Sequence, residues 1–165
     1  MTTVVLIGPP GAGKSSAGAL LARRLGVPFC DTDATVAKLA GKPVGDVFVE
    51  DGENVFRELE RAAVAQCLLA AGGVVALGSG AVLDADVRRQ ISGCTVVYLE
   101  AGFATVAKRA GMDRPRVVIP GNPRGMLRRM LEEREPVYTS LAAVTVPADE
   151  LTPVEIADQI AERLA

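Results

Sequence analysis

Short apolar runs alternate along the chain with longer segments in which apolar residues recur every three or four positions. The unbroken runs are typical of strands buried on both faces. They predict strands at 3–7, 29–31, 74–77, 95–99 and 143–146. The periodic segments predict helices over 14–25, 32–40, 44–51, 55–71, 84–90, 103–110, 124–134 and 153–164. This alternation favours an α/β fold in which one parallel sheet is covered by helices on both faces.

The organisation of the chain is that of one domain, which we expect to span residues 1–165 because no linker or repeat interrupts the pattern. Hydrophobic residues make up 49% of the chain, enough for a sizeable core, and 23% charged residues argue against intrinsic disorder. The stretch 111–123 contains three prolines and is long for a plain connection. It predicts a mobile lid.

The composition excludes several kinds of chemistry. The chain contains no histidine, which rules out Ser-His-Asp and Cys-His catalysis as well as histidine metal ligands. Its three cysteines, Cys30, Cys67 and Cys94, are odd in number and widely spaced. We therefore expect free thiols in a reducing cytosol.

Charge and hydropathy indicate the compartment and the kind of partner. A net charge of −2 argues against a nucleic-acid or anionic-membrane partner. No apolar run reaches the roughly 18 residues of a membrane-spanning helix. Met1-Thr2-Thr3 lacks the basic region of a secretion signal and leads directly into the first strand. We expect a cytoplasmic protein.

Residues 8–15, Gly-Pro-Pro-Gly-Ala-Gly-Lys-Ser, fit the phosphate-binding pattern G-x-x-x-x-G-K-[ST]. A chance match is the alternative, but the predicted strand before the motif and the helix after it supply the required context. Backbone N–H groups and the helix N-terminus would face phosphate oxygens, Lys14 would reach the β- and γ-phosphates, and Ser15 would ligate Mg²⁺. The short chain has no N-K-x-D motif for guanine, which favours a small-molecule kinase.

Two aspartates, Asp31 and Asp33, end the second predicted strand, at the edge of the sheet where ligands of α/β proteins bind. One could hold Mg²⁺ through water while the other accepts a hydrogen bond or a proton from a substrate hydroxyl. The alternative is a turn in which Asp33 caps the next helix.

Arg57 stands near the start of a predicted helix, where the helix dipole disfavours a cation, so it suits an anionic substrate group such as a carboxylate. A surface ion pair with Glu53 or Glu60 is the alternative. The small residues of the turn 78–80 would let the backbone approach a ligand, although an ordinary strand-to-helix turn is equally compatible.

The segment 108–134 holds eight basic and three acidic residues, which suggests that it faces an anion. Arg128 and Arg129 stand four residues before glutamates and fit surface ion pairs. The remaining candidates for binding an anion are Arg109, Arg114 and Arg134.

Six features, in this order along essentially the whole chain, resemble the shikimate kinase family. They are the phosphate loop, D-x-D at 31–33, G-E-x-x-F-R-x-x-E at 52–60, the turn 78–80, R-P at 114–115 and R-x-P-x-Y at 134–138. The resemblance implies a three-layer P-loop kinase fold with a five-stranded parallel sheet, acceptor-binding helices within about 33–61 and a lid at about 109–123. It also implies ATP-dependent phosphorylation of the 3-hydroxyl of shikimate, in aromatic amino-acid biosynthesis.

The resemblance also implies roles for individual residues. The catalytic residues would be Lys14, Asp33 and Arg114. The ATP-binding residues would be Gly11, Ala12, Gly13, Lys14, Ser15, Ser16, Arg109, Arg114 and Pro153. Shikimate would be bound by Asp33, Arg57, Gly78, Ser79, Gly80 and Arg134. Mg²⁺ would be held by Ser15 and, through water, by Asp31.

The chain departs from the family at three places: Ser79 replaces a glycine, Leu151 stands where an arginine is expected, and few residues separate Arg109 from Arg114. The alternatives are another kinase of this scaffold, acting on gluconate or a nucleoside monophosphate, and a regulatory protein that binds ATP without turnover. We expect a monomer whose only partners are small molecules.

Overall fold

The structure is a computed structural model that describes residues 2–70, 72–110 and 121–165. Most of the segment predicted as a lid, including Arg114, lies outside these residues. The predictions for that segment therefore stay predictions.

The described strands form one parallel sheet of order β2-β3-β1-β4-β5. Their bounds are β1 Val4–Ile7, β2 Phe29–Asp31, β3 Val74–Ala76, β4 Thr95–Glu100 and β5 Val144–Pro147. The first strand lies at the centre, where Val4 is in register with Val74 on one side and Thr95 on the other. This order confirms the predicted fold class and brings the carboxyl ends of β1, β2 and β3 together.

The helices of the described residues are α1 Lys14–Leu25, α2 Thr32–Ala40, α3 Val44–Asp51, α4 Glu53–Leu68, α5 Ala85–Gln90, α6 Phe103–Arg109, α7 Pro123–Leu141 and α8 Pro153–Leu164. A 3-10 turn, Ala81–Leu83, precedes α5. The bounds predicted for α1, α2, α3 and α8 are confirmed. None of these helices, within the described parts of the chain, is long and apolar enough to cross a membrane.

The core lies on both faces of the sheet because successive strand residues point to opposite sides. On one face, Leu6 and Leu99 pack against α1 and α8, whereas on the other Val5 and Tyr98 pack towards α4 and α7. A third, smaller cluster joins α2, α3 and α4 through Val36, Val47, Phe56 and Ala63. The helices predicted to bind the acceptor substrate therefore pack on one another in a cluster separate from the two clusters on the sheet.

The long helix α7 continues to Leu141, so the prediction that it ends at Arg134 is wrong. Pro136 lies inside it and lacks one helical hydrogen bond. Tyr138, two residues further, is almost completely buried and stacks on Tyr98, with ring centroids 5.2 Å apart. Tertiary packing of this kind outweighs the local effect of the proline.

Cys30 and Cys67 form a disulfide between β2 and α4, with Cα atoms 5.5 Å apart. The prediction of free thiols is therefore wrong for these two residues, whereas Cys94 is free. The fold packs α4 against β2 and so joins cysteines separated by 37 positions in the sequence, a separation at which no local pattern reveals the pairing.

Candidate active site

The phosphate loop connects β1 to α1 at the carboxyl edge of the sheet. Gly13 precedes α1 without a side-chain cap, so the first N–H groups of the helix have no capping side chain. The ammonium of Lys14 donates hydrogen bonds to the carbonyls of Gly8 and Pro9, each at 2.9 Å, and holds the loop closed on itself. This geometry is typical of an anion-binding helix N-terminus.

Burial at the base of the loop lowers the pKa of Lys14 to about 8, although Asp33 and Asp31 nearby act in the opposite direction. At neutral pH the side chain is still mostly protonated. A cation that is only partly solvated interacts strongly with an anion placed beside it.

Asp31 links the phosphate loop to the second strand. One carboxylate oxygen accepts hydrogen bonds from the N–H groups of Asp33, at 2.9 Å, and Ala34, at 3.2 Å, and the other accepts a hydrogen bond from the Ser15 hydroxyl. The cap of α2 is thus Asp31, so the alternative in which Asp33 caps this helix is wrong.

Asp33 lies in the first turn of α2 and faces a cavity of about 310 Å³. Partial burial, and secondarily the charge of Asp31, raise the pKa of its carboxyl, while Lys14 acts in the opposite direction. The cavity is lined by Pro10, Gly11, Gly13, Lys14, Ser15, Ser16, Asp31, Asp33, Ala76, Leu77 and Ser79. Five of the residues predicted to bind ATP therefore share one space with the predicted proton acceptor, whereas Ala12, Arg109 and Pro153 do not line it.

The turn 78–80 lies within a group of charged side chains. A Cβ atom on Gly78 would stand 2.8 Å from an oxygen of Asp33 and 3.1 Å from an oxygen of Glu60. A Cβ atom on Gly80 would stand 3.2 Å from Arg134 Nη2 and 3.3 Å from Arg57 Nη2. Because the side chains approach the backbone so closely, the turn is more than a simple strand-to-helix connection.

The Arg57 guanidinium donates a hydrogen bond to Glu60 at 2.7 Å and lies 3.9 Å from Glu53. The ion pairs considered as an alternative are therefore present, but the same guanidinium also faces Gly80 beside Arg134. Glu60 is not a surface residue, since only 2% of it is exposed. Burial raises the pKa of Glu60, and its hydrogen bond with Arg57 opposes the shift.

Sequence reasoning assigned no site role to three residues that hold this arrangement together: Thr32, Glu60 and Tyr138. The buried Thr32 hydroxyl accepts a hydrogen bond from the Gly78 N–H at 2.9 Å. The Tyr138 hydroxyl donates to the carbonyl of Ser79 at 2.6 Å. Glu60 and Tyr138 belong to motifs visible in the sequence, but only the burial of the two side chains indicates their function.

Arg109, at the end of α6, lies across the phosphate loop and donates a hydrogen bond to the carbonyl of Gly11. Pro153 opens α8, whose Ile156 reaches the vicinity of Gly13. Leu151, at the position where an arginine is expected, packs against the apolar cluster on this face of the sheet.

Three comparisons with known proteins indicate the same family. The family model for shikimate kinase matches residues 10–165. A shikimate kinase of Thermobifida fusca (strain YX) is 54% identical over 160 residues, which are 97% of this chain and 93% of the relative. A shikimate kinase of Salinispora arenicola (strain CNS-205) is 45% identical over 161 residues, 98% of this chain and 96% of the relative.

Solved structures show the same similarity. Shikimate kinase from Acinetobacter baumannii in complex with shikimate superposes with a TM-score of 0.90 at 29% identity, covering 99% of this chain and 93% of that one. A gluconokinase from Sinorhizobium meliloti 1021 shares the fold, with a TM-score of 0.59 at 22% identity and coverage of 99% and 95%.

Proposed function

The chain belongs to the shikimate kinase family, and we propose that it transfers the γ-phosphoryl group of ATP to the 3-hydroxyl of shikimate in this cleft. The assignment of residues rests on one observation: the guanidinium groups of Arg57 and Arg134 converge beside Gly80. An acceptor with a carboxylate at one end and hydroxyls at the other fits a site with two arginines at one end and Asp33 at the other.

At the acceptor end, Arg57 and Arg134 bind the carboxylate of shikimate. Their Nη2 atoms both lie within 3.3 Å of the same point next to Gly80, which suits the two oxygens of one carboxylate. The backbone of Gly78, Ser79 and Gly80 lines the same space. Asp33, on the Gly78 side, orients the reacting hydroxyl and accepts its hydrogen bond.

At the donor end, the backbone N–H groups of Gly11, Ala12, Gly13, Ser15 and Ser16 and the ammonium of Lys14 bind the phosphates of ATP. Arg109, which donates a hydrogen bond to Gly11, and Pro153, at the start of α8, border the nucleotide. Arg114 is the further cation proposed for the phosphates, and it lies outside the described residues. Each of these roles is a proposal that rests on position and charge.

Ser15 and Asp31 fit a Mg²⁺ site because they place a hydroxyl and a carboxylate oxygen together, and oxygen ligands are those that this cation prefers. Bound there, Mg²⁺ would neutralise charge on the phosphates. Within the described parts of the chain, no three carboxylate or cysteine side chains form a metal cluster. We propose that Ser15 binds the ion directly and Asp31 through water.

The chain's own contribution to the reaction is positioning and electrostatics. Lys14 stabilises negative charge on the transferred group, and Asp33 holds the hydroxyl in line with it. Because phosphoryl transfer proceeds through a loose transition state, the hydroxyl needs little help from a base. Asp33 can act by orientation as well as by proton acceptance.

Gluconate is the second candidate acceptor, because the gluconokinase shares the fold and two arginines would bind any carboxylate. The test is ADP release from Mg²⁺-ATP in parallel with shikimate, gluconate, AMP and no acceptor. Turnover with shikimate alone supports the proposal. Turnover with gluconate or AMP instead would refute the acceptor assignment.

A matched pair of lysine variants shows that any turnover arises in this cleft. Lys14→Met removes the ammonium from the phosphate loop and should abolish turnover. Lys38→Met changes an exposed lysine in the last turn of α2 and should retain it.

We also propose that the protein acts in the cytoplasm, where ATP is available, as a monomeric single domain without nucleic-acid or membrane partners. Sedimentation at assay concentration should give one species of 17.2 kDa, and specific activity should not change on dilution.

A further inference from the structure

Each of the two guanidinium groups beside Gly80 donates a hydrogen bond from its Nη1 atom. Arg57 donates from Nη1 to Glu60 at 2.7 Å, and Arg134 donates from Nη1 to the hydroxyl of Ser79 at 3.3 Å. A Cβ atom on Gly80 would stand 3.2 Å from Arg134 Nη2, and 3.3 and 3.4 Å from Nη2 and Nη1 of Arg57. Ser79 is thus the acceptor for Nη1 of Arg134, as Glu60 is for Nη1 of Arg57, although the Ser79 contact is longer.

The chemical nature of the two partners differs. Arg57 pairs with a carboxylate, whereas among residues 2–70, 72–110 and 121–165 no carboxylate lies within 4.0 Å of Arg134. A hydroxyl orients a guanidinium without neutralising it. The full charge of Arg134 thus remains for an incoming anion.

Ser79 is itself fixed by the helix that carries Arg134. Its carbonyl accepts the hydrogen bond from Tyr138, which lies one helical turn after Arg134 on α7. Tyr138 is 1% exposed and stacks on Tyr98, so its hydroxyl has little freedom. The side chain and the backbone of Ser79 are therefore both bound by α7, and its hydroxyl has a defined position.

We propose that Ser79 is a positioning residue whose hydroxyl holds Arg134 in the orientation that receives the carboxylate of the acceptor. This inference rests on the proposed function and adds a residue to it. Without the hydroxyl, Arg134 keeps its charge and its neighbour Tyr138 but loses the hydrogen-bond partner of its Nη1 atom, so its orientation is less defined before shikimate arrives. Binding of the acceptor must then order the side chain, which weakens affinity and leaves the donor end unaffected.

The test compares Ser79→Ala, which removes only the hydroxyl, with Ser79→Gly, which also removes Cβ. We expect both variants to raise the KM for shikimate by about threefold to tenfold, with the KM for ATP within about twofold of wild type. Ser79→Thr keeps the hydroxyl and should retain more affinity than Ser79→Ala. The matched control is Ser92→Ala, which removes an exposed hydroxyl bonded to the carbonyl of Arg89.

The result that overturns the proposal is an unchanged KM for shikimate in Ser79→Ala. A change in Ser79→Gly alone would also overturn it, because the effect would then come from Cβ. In an Arg134→Met background, Ser79→Ala should have no further effect. Full additivity of the two changes would show that Ser79 binds shikimate independently and would equally overturn the proposal.

Failure of this inference is distinguishable from failure of the proposed function. If the wild-type protein releases no ADP with shikimate, the proposed function fails. The inference is judged separately by the calorimetric Kd of shikimate measured without ATP. Wild-type turnover combined with equal Kd values for wild type and Ser79→Ala would refute the inference alone.

Discussion

At the scale of single residues, Lys14 and Asp33 face one cavity, and burial acts on both. It lowers the pKa of the ammonium to about 8 and raises the pKa of the carboxyl. Both shifts disfavour the charged form of the group. Both must be charged to perform the roles proposed for them.

The dependence of activity on pH follows from these shifts. Protonated Lys14 is present below its pKa, so kcat/KM for ATP should fall as pH rises through about 8. Ionised Asp33 is present above its raised pKa, so kcat/KM for shikimate should fall as pH decreases towards that pKa. Initial rates measured between pH 4 and 10 test both the alkaline and the acidic limb of the pH profile. A kcat/KM for ATP that stays flat from pH 7 to 9 would contradict the assignment of Lys14.

The variant Asp33→Asn keeps the size of the side chain and removes its charge. We expect kcat to fall by about 100-fold or more, with the KM for ATP within about twofold, because the carboxylate acts on the acceptor hydroxyl. Steady-state kinetics with each substrate varied separately measures the difference. Asp158→Asn, in a surface ion pair with Arg24, is the control and should be nearly neutral.

The Arg57–Glu60 pair couples acceptor binding to stability. Arg57→Ala should weaken shikimate binding by about tenfold or more and lower the free energy of unfolding by about 2 kcal/mol, because Glu60 is left buried without its partner. Calorimetry and chemical denaturation measure the two effects. The double variant Arg57→Ala/Glu60→Gln should recover stability but not affinity. Recovery of both would show that Arg57 is only structural.

At the scale of elements, local signals were sufficient where a helix has caps or breakers at its ends. The Gly13 and Gly26 ends of α1 and the proline start of α8 are visible in the sequence, and both helices have the predicted bounds. The predicted end of helix α7, at Arg134, is wrong, and the helix continues through Pro136. Its continuation depends on the burial of Tyr138 against Tyr98, a contact between elements distant in sequence.

The disulfide between β2 and α4 leads to a prediction about stability. Closing a loop of 37 residues stabilises the folded chain by about 4 kcal/mol in the loop-entropy approximation. Cys67→Ala, or a reductant added to the wild type, should therefore lower Tm by several degrees in calorimetry. Cys94→Ser removes the free thiol, and a reductant should lower the Tm of this variant as much as it lowers the Tm of the wild type. A wild-type Tm that is insensitive to reductant would contradict the prediction.

At the scale of the whole molecule, the candidate site is assembled from five parts of the chain. These are the phosphate loop, the start of α2, the middle of α4, the turn after β3 and the middle of α7. A ligand that contacts all of them stabilises the folded state against unfolding as a unit.

Shikimate should accordingly raise the Tm of the protein without any nucleotide. At a shikimate concentration of 100 times its Kd, the expected stabilisation is about 2.7 kcal/mol, which corresponds to a rise in Tm of roughly 5–10 °C. Thermal unfolding with increasing shikimate measures it, with Arg57→Ala/Glu60→Gln as the variant that should lose the shift. An equal shift in that variant would place shikimate elsewhere on the protein.

The sequence by itself determined the α/β class, the sheet of five strands, the phosphate loop and the family, because strand and helix periodicity and short motifs are local properties. It also named Lys14, Asp33, Arg57 and Arg134 as candidates, and the roles of these residues stay predictions. Only the tertiary structure brought Arg57 and Arg134 together beside Gly80, buried Glu60, made Asp31 the cap of α2 and joined Cys30 to Cys67. The physical reason is that burial and pairing between distant positions arise only when the sheet aligns the ends of its strands.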